Sequence, residues 1–79
     1  MSKNWPEILK GVAQSTGGLA KDAPDAMRAF GGLAAAATKD GALDKKTKEL
    51  MCAAISICLR CDGCIAYHTN AAIKAGASR

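Results

Sequence analysis

Apolar positions recur with the period of a helix along most of the chain, and strand-like alternation is absent throughout. Trp5, Ile8, Leu9 and Val12 fall at helical spacing and predict a first helix of about three turns. Asn4 is placed to cap it, with Trp5 and Pro6 in the first turn, where proline is tolerated. Residues 1–4 are expected to fray, and Ser15-Thr16-Gly17-Gly18 to end the helix and open a loop running to Ala23. Pro24 starts a second helix, capped by Ala23 or Asp22, with Ala26, Met27, Phe30, Leu33, Ala34 and Ala37 as its apolar core stripe. Gly31 and Gly32 sit inside it, each costing up to about 1 kcal/mol relative to alanine. They predict a close approach by another backbone or, alternatively, a local break after Phe30. The helix fades over Thr38-Lys39-Asp40-Gly41, with Gly41 as its C-terminal cap.

Asp44 is the next good N-cap, and the segment from Lys45 to Leu59 carries Leu50, Ala53, Ala54, Ile57 and Cys58 as a core stripe. The stretch Arg60 to Gly63 is too polar and too flexible to continue that pattern. A fourth helix starts near Asp62 and runs through Ile65, His68, Ala72 and Ala75 to Gly76, a second cap. The expected fold is all-α: a small bundle of four helices in a single domain over residues 1–79, with no internal repeat. The chain stops at Ala77-Ser78-Arg79, directly after a helix cap, where a compact bundle would usually continue. This predicts either a naturally short protein or a fragment.

Composition changes this picture in one respect. Hydrophobic residues reach 49%, but much of that is alanine, with one Trp, one Tyr and one Phe. Alanine favours helix yet contributes little apolar area, and a chain of this size buries only about 60–65% of its unfolded surface. The helices are therefore expected to pack further in a homo-oligomer. The net charge of +4 is mild, and Lys45, Lys46 and Lys48 form the basic cluster, read as a solvated face. A basic stripe with interleaved aromatics is missing, which argues against a nucleic-acid partner. The longest apolar run, Leu50 to Leu59, is ten residues broken by Ser56, too short to span a bilayer. With no N-terminal signal pattern, the expected location is the cytoplasm.

The candidate chemistry lies in Cys61-Asp62-Gly63-Cys64-Ile65-Ala66-Tyr67-His68. Two thiols stand two residues apart, and the single histidine follows four residues after the second, one helical turn along the same face. His68 can stand over Cys64 and take its proton, giving the thiolate that does redox chemistry. At the start of a helix both thiols also lie near free backbone N–H groups, which favour the anion. In a reducing compartment such a pair is redox-active or metal-binding rather than a structural staple. The base needs an orienting partner, and Glu49 is the best carboxylate candidate. In an antiparallel helix pair it would lie offset from His68 by about 7 Å, a gap that two side chains and a water can cover. The rival use of the same residues is a zinc site made by Cys58, Cys61, Cys64 and His68, in a non-enzymatic binding or assembly module. Cys52 and Cys58 are otherwise expected as buried small hydrophobes, and Tyr67 as packing.

The run from Lys46 to Ser78, with Glu49, eleven residues, Cys61-x-x-Cys64, three residues and His68, closely resembles the alkylhydroperoxidase-D-like / carboxymuconolactone decarboxylase family. The trailing Ala-Ala-Ile-Lys-Ala-Gly-Ala-Ser matches as well. The resemblance implies an all-helical protein assembled as a trimer or hexamer, and an antioxidant peroxidase that needs no flavin, haem or metal. It implies Cys64 as the peroxidatic thiol, Cys61 as the resolving thiol and proton donor, and His68 with Glu49 as the proton relay. The implied partners are a hydroperoxide substrate and an external dithiol or protein reductant. The decarboxylase branch is similar in fold but lacks this cysteine pair. Relatives usually continue into another helix after the Gly-Ala-Ser turn, so the domain is expected to be short of that helix.

Overall fold

The computed structural model describes residues 3–79, and among them four helices and no strand: α1 (Trp5–Asp22), α2 (Pro24–Thr38), α3 (Lys45–Leu59) and α4 (Asp62–Lys74). The all-α expectation holds, and α2, α3 and α4 begin where their capping residues place them. The expected fraying falls partly on Met1 and Ser2, which lie outside the described residues. Lys3 and Asn4 are tied down: Lys3 Nζ bonds Asp62 Oδ2 at 2.6 Å, and Asn4 Oδ1 accepts from the Glu7 N–H at 3.2 Å.

The first helix is longer than expected. It runs for 18 residues straight through Ser15-Thr16-Gly17-Gly18, so the loop to Ala23 does not exist. A poor helix former costs only its propensity once a helix is nucleated, because each further residue still adds a hydrogen bond. The break comes instead at Ala23, which precedes Pro24 and is driven out of the helical region by the proline ring, to φ −135° and ψ 66°. The second helix is likewise unbroken after Phe30, and nothing among the described residues outside its own turn comes within 4 Å of where a side chain at Gly31 or Gly32 would begin. Its C-terminus is not closed by Gly41. Lys48 reaches back from α3 and donates to the carbonyls of Ala37 at 3.1 Å and Lys39 at 2.8 Å, a cation on the negative end of a helix. Part of the basic cluster is thus a cap rather than a solvated face.

The third and fourth helices are joined by two residues, Arg60 and Cys61. Arg60 adopts the left-handed conformation (φ 55°) and donates to Ile57 O, while the Cys61 N–H donates to Ser56 O, both at 3.1 Å. The same double closure ends α4, where Gly76 (φ 108°) donates to Ile73 O and Ala77 to Ala72 O, both at 3.0 Å. At the other end, Asp44 Oδ1 accepts from the Thr47 N–H and Asp40 Oδ1 from the Lys45 N–H, both at 2.7 Å, so α3 starts with two carboxylates on its free donors. Hydrogen bonding by Thr47, its side chain first and then its backbone N–H, is the main reason the Asp44 carboxyl lies below its ordinary value.

Helix α4 is central. It packs chiefly on α3 and also on α1, while α2 lies against α1 and touches α3 only lightly. The buried residues are Ala66 and Ala72 on α4 and Glu49 and Ser56 on α3. This corrects the expected stripe on α3: Leu50, Ala54, Ile57 and Cys58 are exposed, and the face turned to α4 is the one bearing Glu49 and Ser56. On α2, Met27 and Ala34 are half-buried, but Phe30 and Leu33 are 61% and 68% exposed. The molecule is a slab of 39 × 35 × 21 Å. Its accessible surface is 5996 Å², against about 4,500 Å² for a compact monomer of this mass. The pattern of apolar residues says which faces avoid water; much of that face is uncovered within one chain. Among the described residues no helix is long and apolar enough to cross a membrane.

Candidate active site

The α3–α4 contact is built for close approach. Ala66 and Ala72 present methyl groups where larger side chains would hold the helices apart, and Ser56 Oγ satisfies itself by donating to Cys52 O at 2.6 Å. Glu49, one turn before Cys52 and two before Ser56, is only 3% exposed. A carboxylate so buried needs a partner, and His68 supplies it from α4: its Nδ1 lies 2.7 Å from Glu49 Oε2. Of the two ways left open for closing the offset between the helices, direct contact is the one found. With Nδ1 protonated and donating to the carboxylate, Nε2 is left to exchange protons. Tyr67, half exposed, stands edge-on to the imidazole, ring centres 5.1 Å apart, and packs against it as expected.

The cysteine pair forms the turn into the same helix. Cys61 is the N-cap of α4, with its Sγ 3.3 Å from the Cys64 N–H, and is joined to Cys64 by a disulfide with Cα atoms 5.2 Å apart. Both are half-buried. Asp62, between them, holds the Lys3 ammonium. Gly63 is the glycine with the tightest surroundings: a Cβ there would lie 3.1 Å from Val12 Cγ2 of α1, so that side chain would have to give by a few tenths of an ångström. The backbone approach expected at Gly31 and Gly32 is not seen there, and the contact at Gly63, made by a side chain, seats α1 against the turn that carries the cysteine pair. Cys64 and His68 follow one turn apart on α4, so one short helix carries both the second cysteine of the pair and the histidine.

The rival zinc set is not assembled. Cys58 is exposed, Cys61 and Cys64 are bonded to each other, and these three do not converge on His68. Among the described residues, the metal-capable side chains that do converge are Glu49, Cys52 and His68, whose ligand atoms all lie within 4.8 Å of one another. The structure differs from the expectation of a buried small hydrophobe at Cys52. It is half-buried and faces the Glu49–His68 pair. Its spacing from Glu49, three residues on one helix face, was the available signal.

A model of the carboxymuconolactone decarboxylase family matches residues 24–79, which takes in α2, α3 and α4. The chain belongs to that family. Among relatives, an uncharacterized protein of Haemophilus influenzae is 41% identical over 72 residues, and an uncharacterized protein of Cupriavidus necator is 38% identical over 79. They cover 91% and 100% of this chain, which spans 64% and 70% of their own lengths. The crystal structure of the apo form of a carboxymuconolactone decarboxylase family protein from Legionella pneumophila superimposes with a TM-score of 0.89 at 42% identity, over 99% of this chain and 70% of that one. The family's all-helical fold is thus shared, and the Cys61–Cys64 pair and the Glu49–His68 contact are what this member sets on it.

Proposed function

We propose that the chain is a thiol-dependent peroxidase or disulfide oxidoreductase of the alkylhydroperoxidase type. The observation that carries this reading is a vicinal cysteine pair at the start of the helix that also bears His68, one turn beyond Cys64 and backed by the buried Glu49. In the reduced state Nε2 of His68 takes the Cys64 proton, and the thiolate is stabilised by the first N–H groups of α4. Glu49 fixes the imidazole and balances its charge once protonated. The thiolate attacks the distal oxygen of a hydroperoxide, the O–O bond breaks, and an alcohol leaves with the returned proton. Cys64 becomes a sulfenic acid. The Cys61 thiol condenses with it, releasing water and closing the disulfide. An external dithiol then reduces the pair by exchange and leaves as its own disulfide.

The same reading places the protein in a reducing compartment such as the cytoplasm, and in an oligomer whose neighbours cover Phe30, Leu33, Leu50 and Ile57. The excess accessible surface, about 1,500 Å² over a compact monomer, supports that assembly. The test is steady-state reduction of cumene hydroperoxide with dithiothreitol as donor. Cys64→Ser should abolish turnover and Cys61→Ser should stop it after one event. Turnover that survives Cys64→Ser would overturn the reading.

A further inference from the structure

We propose that Glu49, Cys52 and His68 form a binding site for a zinc-class divalent cation, separate from the Cys61–Cys64 pair and competing with the proton held between His68 and Glu49. Three donor types converge there: a carboxylate oxygen, a thiol sulfur and an imidazole nitrogen, all within 4.8 Å of one another. Zinc bonds of about 2.3 Å to sulfur and about 2.0–2.2 Å to nitrogen and oxygen place tetrahedral ligand atoms about 3.4–3.6 Å apart. The three ligand atoms, now up to 4.8 Å apart, would draw together on the ion, with the 2.7 Å Glu49–His68 contact opening slightly to admit it.

Charge and softness both select the ion. A divalent cation beside the buried Glu49 carboxylate and a Cys52 thiolate leaves the site neutral, which a low-dielectric setting favours. Thiolate and imidazole prefer zinc, cobalt or copper over magnesium or calcium. Two of the donors, Glu49 and Cys52, are fixed three residues apart on α3, so only His68 of the neighbouring helix has to adjust. The half-burial of Cys52 and His68 leaves a fourth position for water. Binding balances simply: Cys52 releases its proton to solvent, and if the ion takes Nδ1, the imidazole proton moves to Nε2. His68 so engaged no longer serves Cys64. That consequence rests on the peroxidase reading; the binding itself does not.

The experiment uses the full chain with the Cys61–Cys64 disulfide closed and Cys58 changed to Ser. Cobalt(II) is titrated and followed by its thiolate charge-transfer absorption, then displaced by zinc. One equivalent is expected, with the absorption lost in Cys52→Ser and affinity lowered by about 100-fold or more in His68→Ala. A second measurement needs no variant: zinc should slow alkylation of Cys52 at least about tenfold while leaving exposed Cys58 as reactive as before. Binding untouched by Cys52→Ser, or no protection of Cys52, overturns the site. Neither readout involves peroxide, so the site and the peroxidase reading fail separately.

Discussion

Glu49 on α3 and His68 on α4 meet carboxylate to imidazole at 2.7 Å, 19 residues apart in sequence, and this contact is what makes the burial of Glu49 tolerable. No buried side-chain nitrogen or oxygen among the described residues lacks a partner. The pair therefore serves the fold and, in the proposed reaction, the chemistry as well, and the two roles can be separated.

His68→Ala leaves the buried carboxylate without a partner, so unfolding free energy should fall by about 1–3 kcal/mol. Peroxide turnover should fall by about 10²–10⁴-fold, the scale of a positioned base. Glu49→Gln keeps an acceptor for Nδ1–H and should cost less than about 1 kcal/mol, while turnover still drops by about tenfold or more. Urea unfolding and turnover measured on the same samples give the comparison. Equal losses in both variants would mean the pair is structural only.

Asp44 gives the acid limb of stability a specific contributor. Its carboxyl lies below the ordinary 3.8, chiefly through the hydrogen bonds from Thr47 and then the charge of Lys46. A depressed folded-state value means that its contribution is full above the ordinary value and is lost as pH falls through the lower one. The melting temperature of Asp44→Ala should therefore lie below that of the natural chain at neutral pH. The gap should narrow as pH falls below the ordinary carboxylate range and through the lowered folded-state value.

Arg60 holds a left-handed conformation that costs a non-glycine residue about 1–2 kcal/mol. Gly76 occupies the equivalent place after α4 without that cost. Arg60→Gly should raise stability by about 0.5–1 kcal/mol after the added freedom of the unfolded chain is allowed for. Chemical denaturation reads this directly, and a loss of stability would overturn the strain assigned to Arg60.

Gly17 and Gly18 lie in the last third of α1 with nothing within 4 Å of the space a methyl group would fill. Changing either to Ala should stabilise the helix by about 0.5–1 kcal/mol, visible as a higher midpoint in urea.

Ile57 is 62% exposed on the side of α3 turned away from α4. If neighbouring subunits cover it, Ile57→Glu should lower the sedimentation coefficient while leaving helicity intact. An unchanged particle size would place the interface elsewhere.

How much of this was legible in the sequence depended on where the deciding physics lay. Asn4, Asp44 and Pro24 act locally, and each starts its helix where the sequence puts it. The spacing of Glu49, Cys61, Cys64 and His68 is likewise local once α3 and α4 fold back on each other. The end of α1 was missed because glycines are expensive rather than forbidden in a helix, whereas the residue before a proline is sterically excluded. The buried face of α3 was missed for another reason. Leu50 and Ile57 report a preference to leave water, but not whether the same chain will cover them, and the face that this chain covers carries Glu49 and Ser56. Cys52 was passed over because a lone thiol among apolar residues looks inert until its neighbour across the helix pair is known.

The sulfur of Cys61 serves as helix cap as well as half of the disulfide, receiving the Cys64 amide at 3.3 Å. A thiol sulfur can still accept that amide once the bridge is opened, so the cap does not depend on the disulfide being closed. The two oxidation states can then share one backbone. A partner that docks to deliver electrons would meet the same surface before and after delivery, and its release would have to come from the chemistry of the mixed disulfide, not from a change in shape.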